Sequence, residues 1–92
     1  GIIVYYSFYV ILMKLTPAEE KLLKKVSESQ LITKIELKEF IKNTNAFVGK
    51  DVSGIVDVTT KSLVEKNLLS TITPIGSTCY IITKEGNRQL SD

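Results

Sequence analysis

The spacing of apolar positions changes along this chain, and the changes mark out its elements. From Leu15 to Lys66 apolar residues recur at three- and four-residue intervals, the mark of amphipathic helices. Thr16-Pro17-Ala18-Glu19 offers Thr16 as N-cap, Pro17 at the first helical position and Glu19 as capping-box partner. It predicts a helix over 17–28 with Ala18, Leu22, Leu23 and Val26 on one stripe. Leu31-Ile32 reads as a short extended link. Thr33-Lys34-Ile35-Glu36 repeats the capping box and predicts a second helix over 34–42, with Ile35, Leu37, Phe40 and Ile41 as its apolar members. Asn43–Lys50 is a loop. A third helix over 52–66 carries Val52, Val56, Thr59 and Leu63 on one face, widened by Ile55 and Val64. Asn67 suits the left-handed position that stops it. The period then turns to that of strands: Leu69–Pro74 and Thr78–Thr83 are β-rich runs, with a hairpin turn at Pro74–Ser77. Thr83 caps a last short helix over Lys84–Leu90. The fold class expected is α+β, a three-helix core plus a β-hairpin, with Leu22, Val26, Phe40, Val56 and Leu63 meeting in one core.

The opening segment breaks this pattern. From Ile2 to Met13 there is no charge, and the run is β-branched and aromatic. It is too short to span a bilayer, which takes roughly 17–25 helical residues. It also lacks the basic start and small-residue cleavage site of a signal peptide. Three readings stand: a strand or helix that covers an apolar surface of this subunit or a neighbour, a shortened membrane anchor, or sequence upstream of a natural start at Met13. The chain therefore divides into an apolar extension, 1–14, and one domain, 15–92.

Composition narrows the chemistry. The 92 residues suffice for one small domain, and 43% apolar with 24% charged residues is the balance of a globular chain. Twelve Lys plus Arg against ten Asp plus Glu leave a charge of +2, mildly basic. Histidine is absent and Cys79 is the one cysteine. Familiar His/Cys zinc sites, Ser–His and Cys–His pairs and an intrachain disulfide are thereby excluded. Gly49-Lys50-Asp51-Val52-Ser53-Gly54 has the two glycines of a P-loop, but Ile55-Val56 follows where Lys and Ser/Thr are required. Asp51 and Asp57 share no helical face with another carboxylate. The expectation is a binding module, not an enzyme, with no cofactor and no metal. Cys79 and Tyr80 read as strand-packing residues rather than a disulfide partner and a base-stacking platform.

Two stretches carry a resemblance. Leu63-Val64-Glu65-Lys66-Asn67-Leu68-Leu69 is similar to the end of a recognition helix, L-x-E-K-G-L-[VIL], with Asn67 in place of glycine. Tyr80-Ile81-Ile82-Thr83-Lys84-Glu85-Gly86 matches Y-x-[LI]-T-x-x-G, the close of a wing and the start of the next helix. With one hairpin between them, residues 15–90 resemble the winged helix-turn-helix domains of small bacterial and archaeal transcription regulators, in the manner of the MarR and PadR groups. The resemblance implies a cytoplasmic, sequence-specific binder of double-stranded DNA whose third helix enters the major groove. Two departures are visible: the 43–50 loop is longer than the usual turn, and Ser70–Thr78 contains no Lys or Arg.

Phosphate contacts need cations on one face, and base readout needs polar side chains near the start of the third helix. Lys34, Lys38 and Lys42 follow at four-residue intervals along the second helix, and Lys50, Ser53, Asp57, Thr60 and Lys61 lie off the apolar stripe of the third. Lys50, Ser53, Thr60 and Lys61 are the expected groove contacts and Lys34 and Lys38 the phosphate contacts. Asp57 is assigned a structural part, since carboxylates repel phosphate. The alternative for the lysines is a solvated face paired with Glu36 and Glu39. The alternative for the whole domain is a winged-helix protein–protein interaction module of a transcription or replication assembly; a membrane-tethered regulator is a third reading.

An exposed, uncharged twelve-residue run invites aggregation unless it is covered. A second copy would cover it on both faces, and two recognition helices would read a palindrome. A homodimer is expected, led by Ile3, Tyr5, Tyr6, Phe8, Tyr9 and Ile11. Sedimentation of the full chain beside a version starting at Met13 tests this: dimer for the first and monomer for the second. The same species from both would remove the segment from the interface.

Overall fold

The computed structural model describes residues 14–91; the expected dimer contacts at Ile3, Tyr5, Tyr6, Phe8, Tyr9 and Ile11 lie outside the described residues. Among the described residues, four helices and a three-stranded antiparallel sheet make up an α+β fold. The order is α1 (Pro17–Ser29), β1 (Leu31–Thr33), α2 (Lys34–Lys42), a 3₁₀ turn (Asn45–Phe47), α3 (Val52–Glu65), β2 (Leu69–Ile72), a 3₁₀ turn (Pro74–Gly76), β3 (Cys79–Ile82) and α4 (Lys84–Ser91). No helix among the described residues is long and apolar enough to cross a membrane.

Both capping boxes form. Thr16 accepts the Glu19 N–H at 3.1 Å and the Glu19 carboxylate accepts the Thr16 N–H at 2.9 Å. Thr33 and Glu36 do the same at 3.1 Å each way. Two orphan donors at each helix start are satisfied in this manner. At the end of α3 the Leu68 N–H donates to the Leu63 carbonyl and the Asn67 N–H to the Val64 carbonyl, with Asn67 at φ 62°. That is a Schellman stop, with asparagine in the place glycine usually takes.

Leu22, Leu23 and Val26 of α1, Leu37 and Ile41 of α2, and Val56 and Leu63 of α3 close one core with Ile32, Leu68, Leu69 and Tyr80; Phe40 and Phe47 pack at its margin. Ile35 departs from expectation. It is 74% exposed, because it stands two residues from Leu37 and so nearly on the opposite side of α2. The 31–32 link also departs, being the start of a third strand. β3 lies between the other two, with Ile32 opposite Tyr80 on one side and Thr71 opposite Tyr80 on the other.

α4 docks against the chain that leaves α3. Thr83 donates its hydroxyl to the Asn67 carbonyl at 2.7 Å and accepts the Gly86 N–H at 3.0 Å. A Cβ on Gly86 would run into the Leu68 carbonyl and lie 2.7 Å from Ile82 Cγ1. The T-x-x-G spacing therefore has a local cause: threonine caps the helix, and glycine admits the backbone beneath it.

Glu19 does more than close its box. It is 3% exposed, and its second oxygen accepts the Ser62 hydroxyl and the Lys66 ammonium, each at 2.7 Å. Burial pushes this carboxyl up, but Lys66, the Thr16 N–H and Ser62 together outweigh it and hold the group below its ordinary 4.5. A lowered carboxyl stabilises the fold above its ordinary pKa, and that contribution disappears as pH falls through the lowered value. Glu19→Gln is expected to cost about 1–3 kcal/mol in urea unfolding at neutral pH. The loss relative to the parent should shrink in acid. An equal difference at all pH values would mean that the charge is not what matters.

Candidate nucleic-acid interface

Three local features place the cationic side chains. β1 runs straight into α2, so Lys34 stands at a strand–helix junction, where its N–H donates to the Thr78 carbonyl at 3.0 Å and ties α2 to the hairpin. α2 packs beside α3, turning Lys38 toward it. The Asp51 side chain caps α3 by accepting the Gly54 N–H at 3.2 Å, which leaves Lys50 exposed just ahead of the helix.

These elements meet at one surface. Lys34 reaches Asp57 across the α2–α3 boundary at 2.8 Å. The hydrogen bond to Asp57 holds the Lys34 ammonium above its ordinary pKa, and the same bond holds Asp57 below its own, with Lys38 adding its charge. Beside the pair an open cleft of about 340 Å³ separates α3 from the hairpin, lined by Lys34, Asp57, Lys61, Glu65, Thr71 and Tyr80. Ser53 and Lys61 are exposed on the solvent side of α3, and Lys42 is exposed one turn past Lys38.

Of the expected contacts, the structure gathers Lys34, Lys38 and Lys61 around Asp57 and sets Ser53 on the same helix a turn before it. Thr60 lies at the floor of this cleft, buried rather than presented to solvent. It is 3% exposed, its hydroxyl donates to the Val56 carbonyl at 2.7 Å, and it accepts the Tyr80 hydroxyl at 3.4 Å. Threonine can satisfy its oxygen on its own helix, so a polar residue off the apolar stripe still faces the core here. Glu36 and Glu39 pair with no lysine of the stripe; among the described residues the ion pairs are Lys34–Asp57 and Lys66–Glu19. Asp57 is the acidic partner of Lys34 on this surface. Cys79 and Tyr80 are buried, as strand-packing residues would be, and Cys79 is unbridged.

Val58, apolar by type, stands 70% exposed in the middle of α3. Its position off the Val52–Val56–Thr59–Leu63 stripe was the available signal. The hairpin end, from Thr71 to Ser77, carries no charge. Elsewhere, Lys25 lies 5.3 Å over the Phe40 ring beside an open cleft between α1 and α2. The described residues contain no cluster of three metal-ligating side chains.

Comparison of the chain with protein-family models, curated proteins and solved structures returns no match.

The buried threonine provides a check on this geometry. Thr60→Val keeps the shape and removes the hydroxyl's hydrogen bonds to the Val56 and Asp57 carbonyls and from Tyr80, and is expected to lower stability by about 1–2 kcal/mol in urea unfolding. Binding of the folded variant to duplex DNA should match the parent. A selective loss of binding without loss of stability would return Thr60 to the contact surface.

Proposed function

We propose that this domain is a winged helix that binds double-stranded DNA in a sequence-specific manner, as part of a cytoplasmic transcription regulator acting as a homodimer. The observation that carries the reading is the convergence of Lys34, Lys38 and Lys61 on the exposed side of α3, beside a hairpin. An α-helix fits the major groove, and cations along its flank neutralise the phosphates on either side. Helix order supports it too: α2 and α3 pack together, the hairpin follows α3, and α4 closes the unit. Lys50 and Ser53 contribute from the start of α3, where a docked recognition helix meets base edges. Thr60 is withdrawn from the set.

Asp57 tempers the surface. It engages one of three neighbouring lysines, so the face is less cationic than its lysine count. On this reading tight binding depends on sequence, with a modest backbone term. The hairpin contributes hydroxyls and N–H groups in place of cations.

A second reading has its own support. The uncharged hairpin end and the exposed Ile35 and Val48 are features of a surface that docks on protein. The domain would then be an interaction module of a transcription or replication assembly.

Mutation of the lysines separates the two. Lys61→Glu should weaken duplex binding severely. Lys34→Ala and Lys38→Ala should each weaken it on every sequence and lower the slope of log K against log salt by about one. Unchanged affinity in all three variants would favour the protein-docking module.

A further inference from the structure

The sheet has two edges, and they differ. In an antiparallel ladder every second residue of an edge strand turns its N–H and C=O away from the neighbouring strand. The Lys34 N–H bonded to the Thr78 carbonyl, and the Thr83 N–H bonded to the Leu68 carbonyl, fix the phase of the two ladders. On β1 the outward residues are Leu31 and Thr33, and the Thr33 N–H is taken by the Glu36 carboxylate at 3.1 Å. On β2 they are Leu69 and Thr71, whose N–H groups form no bond among the described residues. Leu69 is nevertheless only 1% exposed. Buried backbone groups without a partner are rare, which points to a further strand on this edge. Free edges are ordinarily protected by charge, yet no charged residue occurs from Leu68 to Thr83, and Ile72 stands exposed.

We propose that the outer edge of β2 is the docking site of the chain's own run Ile2–Leu12, which joins the sheet as a fourth, antiparallel strand. The run is uncharged and rich in β-branched and aromatic residues, a composition suited to a strand and matched to an edge without charge. Its position in the chain selects it as well. Glu19, which closes the box on Thr16, also holds Ser62 and Lys66, and β2 follows shortly after Lys66. The chain therefore enters α1 beside the start of β2, with Leu15 packed against the core. A run that arrives where β2 departs lies antiparallel to it and needs no crossover. The outward N–H and C=O groups of Leu69 and Thr71 then hold the added strand by main-chain bonds. Its own far edge is the one that a second copy would meet. The inference is independent of the DNA-binding reading.

Amide hydrogen exchange of the full chain, followed by NMR, tests it. The Thr71 amide, on an exposed residue, should exchange about as slowly as those of Ser70 and Ile72, which face β3. Tyr6→Pro combined with Phe8→Pro removes donors from the run. It should speed exchange at Thr71 by about tenfold or more and leave Ser70 and Ile72 slow. In a mixture of isotope-labelled and unlabelled chains, contacts between the run and β2 should fall within one chain. Rapid exchange at Thr71 in the parent, unchanged exchange there in the proline variant, or contacts only between chains would each overturn the assignment.

Discussion

The arrangement of the helices depends on one buried carboxylate. Glu19 closes the capping box that starts α1 and, with its other oxygen, holds Ser62 and Lys66 near the end of α3. A buried charge is tolerated only when its lone pairs are filled, and here both oxygens are engaged. No buried side-chain nitrogen or oxygen among the described residues is left without a partner. Hydrophobic packing between α1 and α3 would tolerate sliding, since Leu22, Val26, Val56 and Leu63 offer similar surfaces. The carboxylate does not: three donors converge on it from two elements more than forty residues apart, so α3 is fixed in position against α1.

That placement governs the outer side of α3. With Leu63 and Val56 turned to the core and Lys66 anchored to Glu19, Ser53, Asp57, Val58 and Lys61 must face away from α1. α2 then lies alongside with Lys34 and Lys38. Three lysines so close repel one another, and Asp57 offsets part of that repulsion in the unbound domain. On the proposed function the same carboxylate lowers indiscriminate attraction to phosphate, which leaves more of the recognition to the shape and apolar character of the helix surface.

Much of this fold is legible in the residues, and the illegible parts have physical causes. The two capping boxes, the asparagine stop and the Thr83 cap are local motifs, and local chemistry decides them. Strand β1 is three residues long, too short to display an alternation, and it exists because β3 has a free edge to offer. Ile35 looks like core by type, yet the helix phase set by Leu37 and Ile41 carries it to solvent. Thr60 looks like surface by type, yet its hydroxyl is satisfied by the carbonyl a turn back. The capping role of Glu19 is local and legible; its bonds to Ser62 and Lys66 are long-range and become visible only in three dimensions. Of the candidate interface, the lysine stripe and Lys61 could be read from spacing, whereas the Lys34–Asp57 pair depends on how α2 packs on α3.

On the proposed function, the side of the domain formed by α2 and α3 is the one that meets DNA. Backbone amide mapping by heteronuclear NMR of the full chain, titrated at low salt with a duplex, addresses it directly. The account predicts shifts concentrated at residues 34–42 and 50–61 that fade as salt is raised, with α4 and the far side of α1 unmoved. No shifts at low salt, or shifts centred on α4 and the outward side of α1, would contradict it.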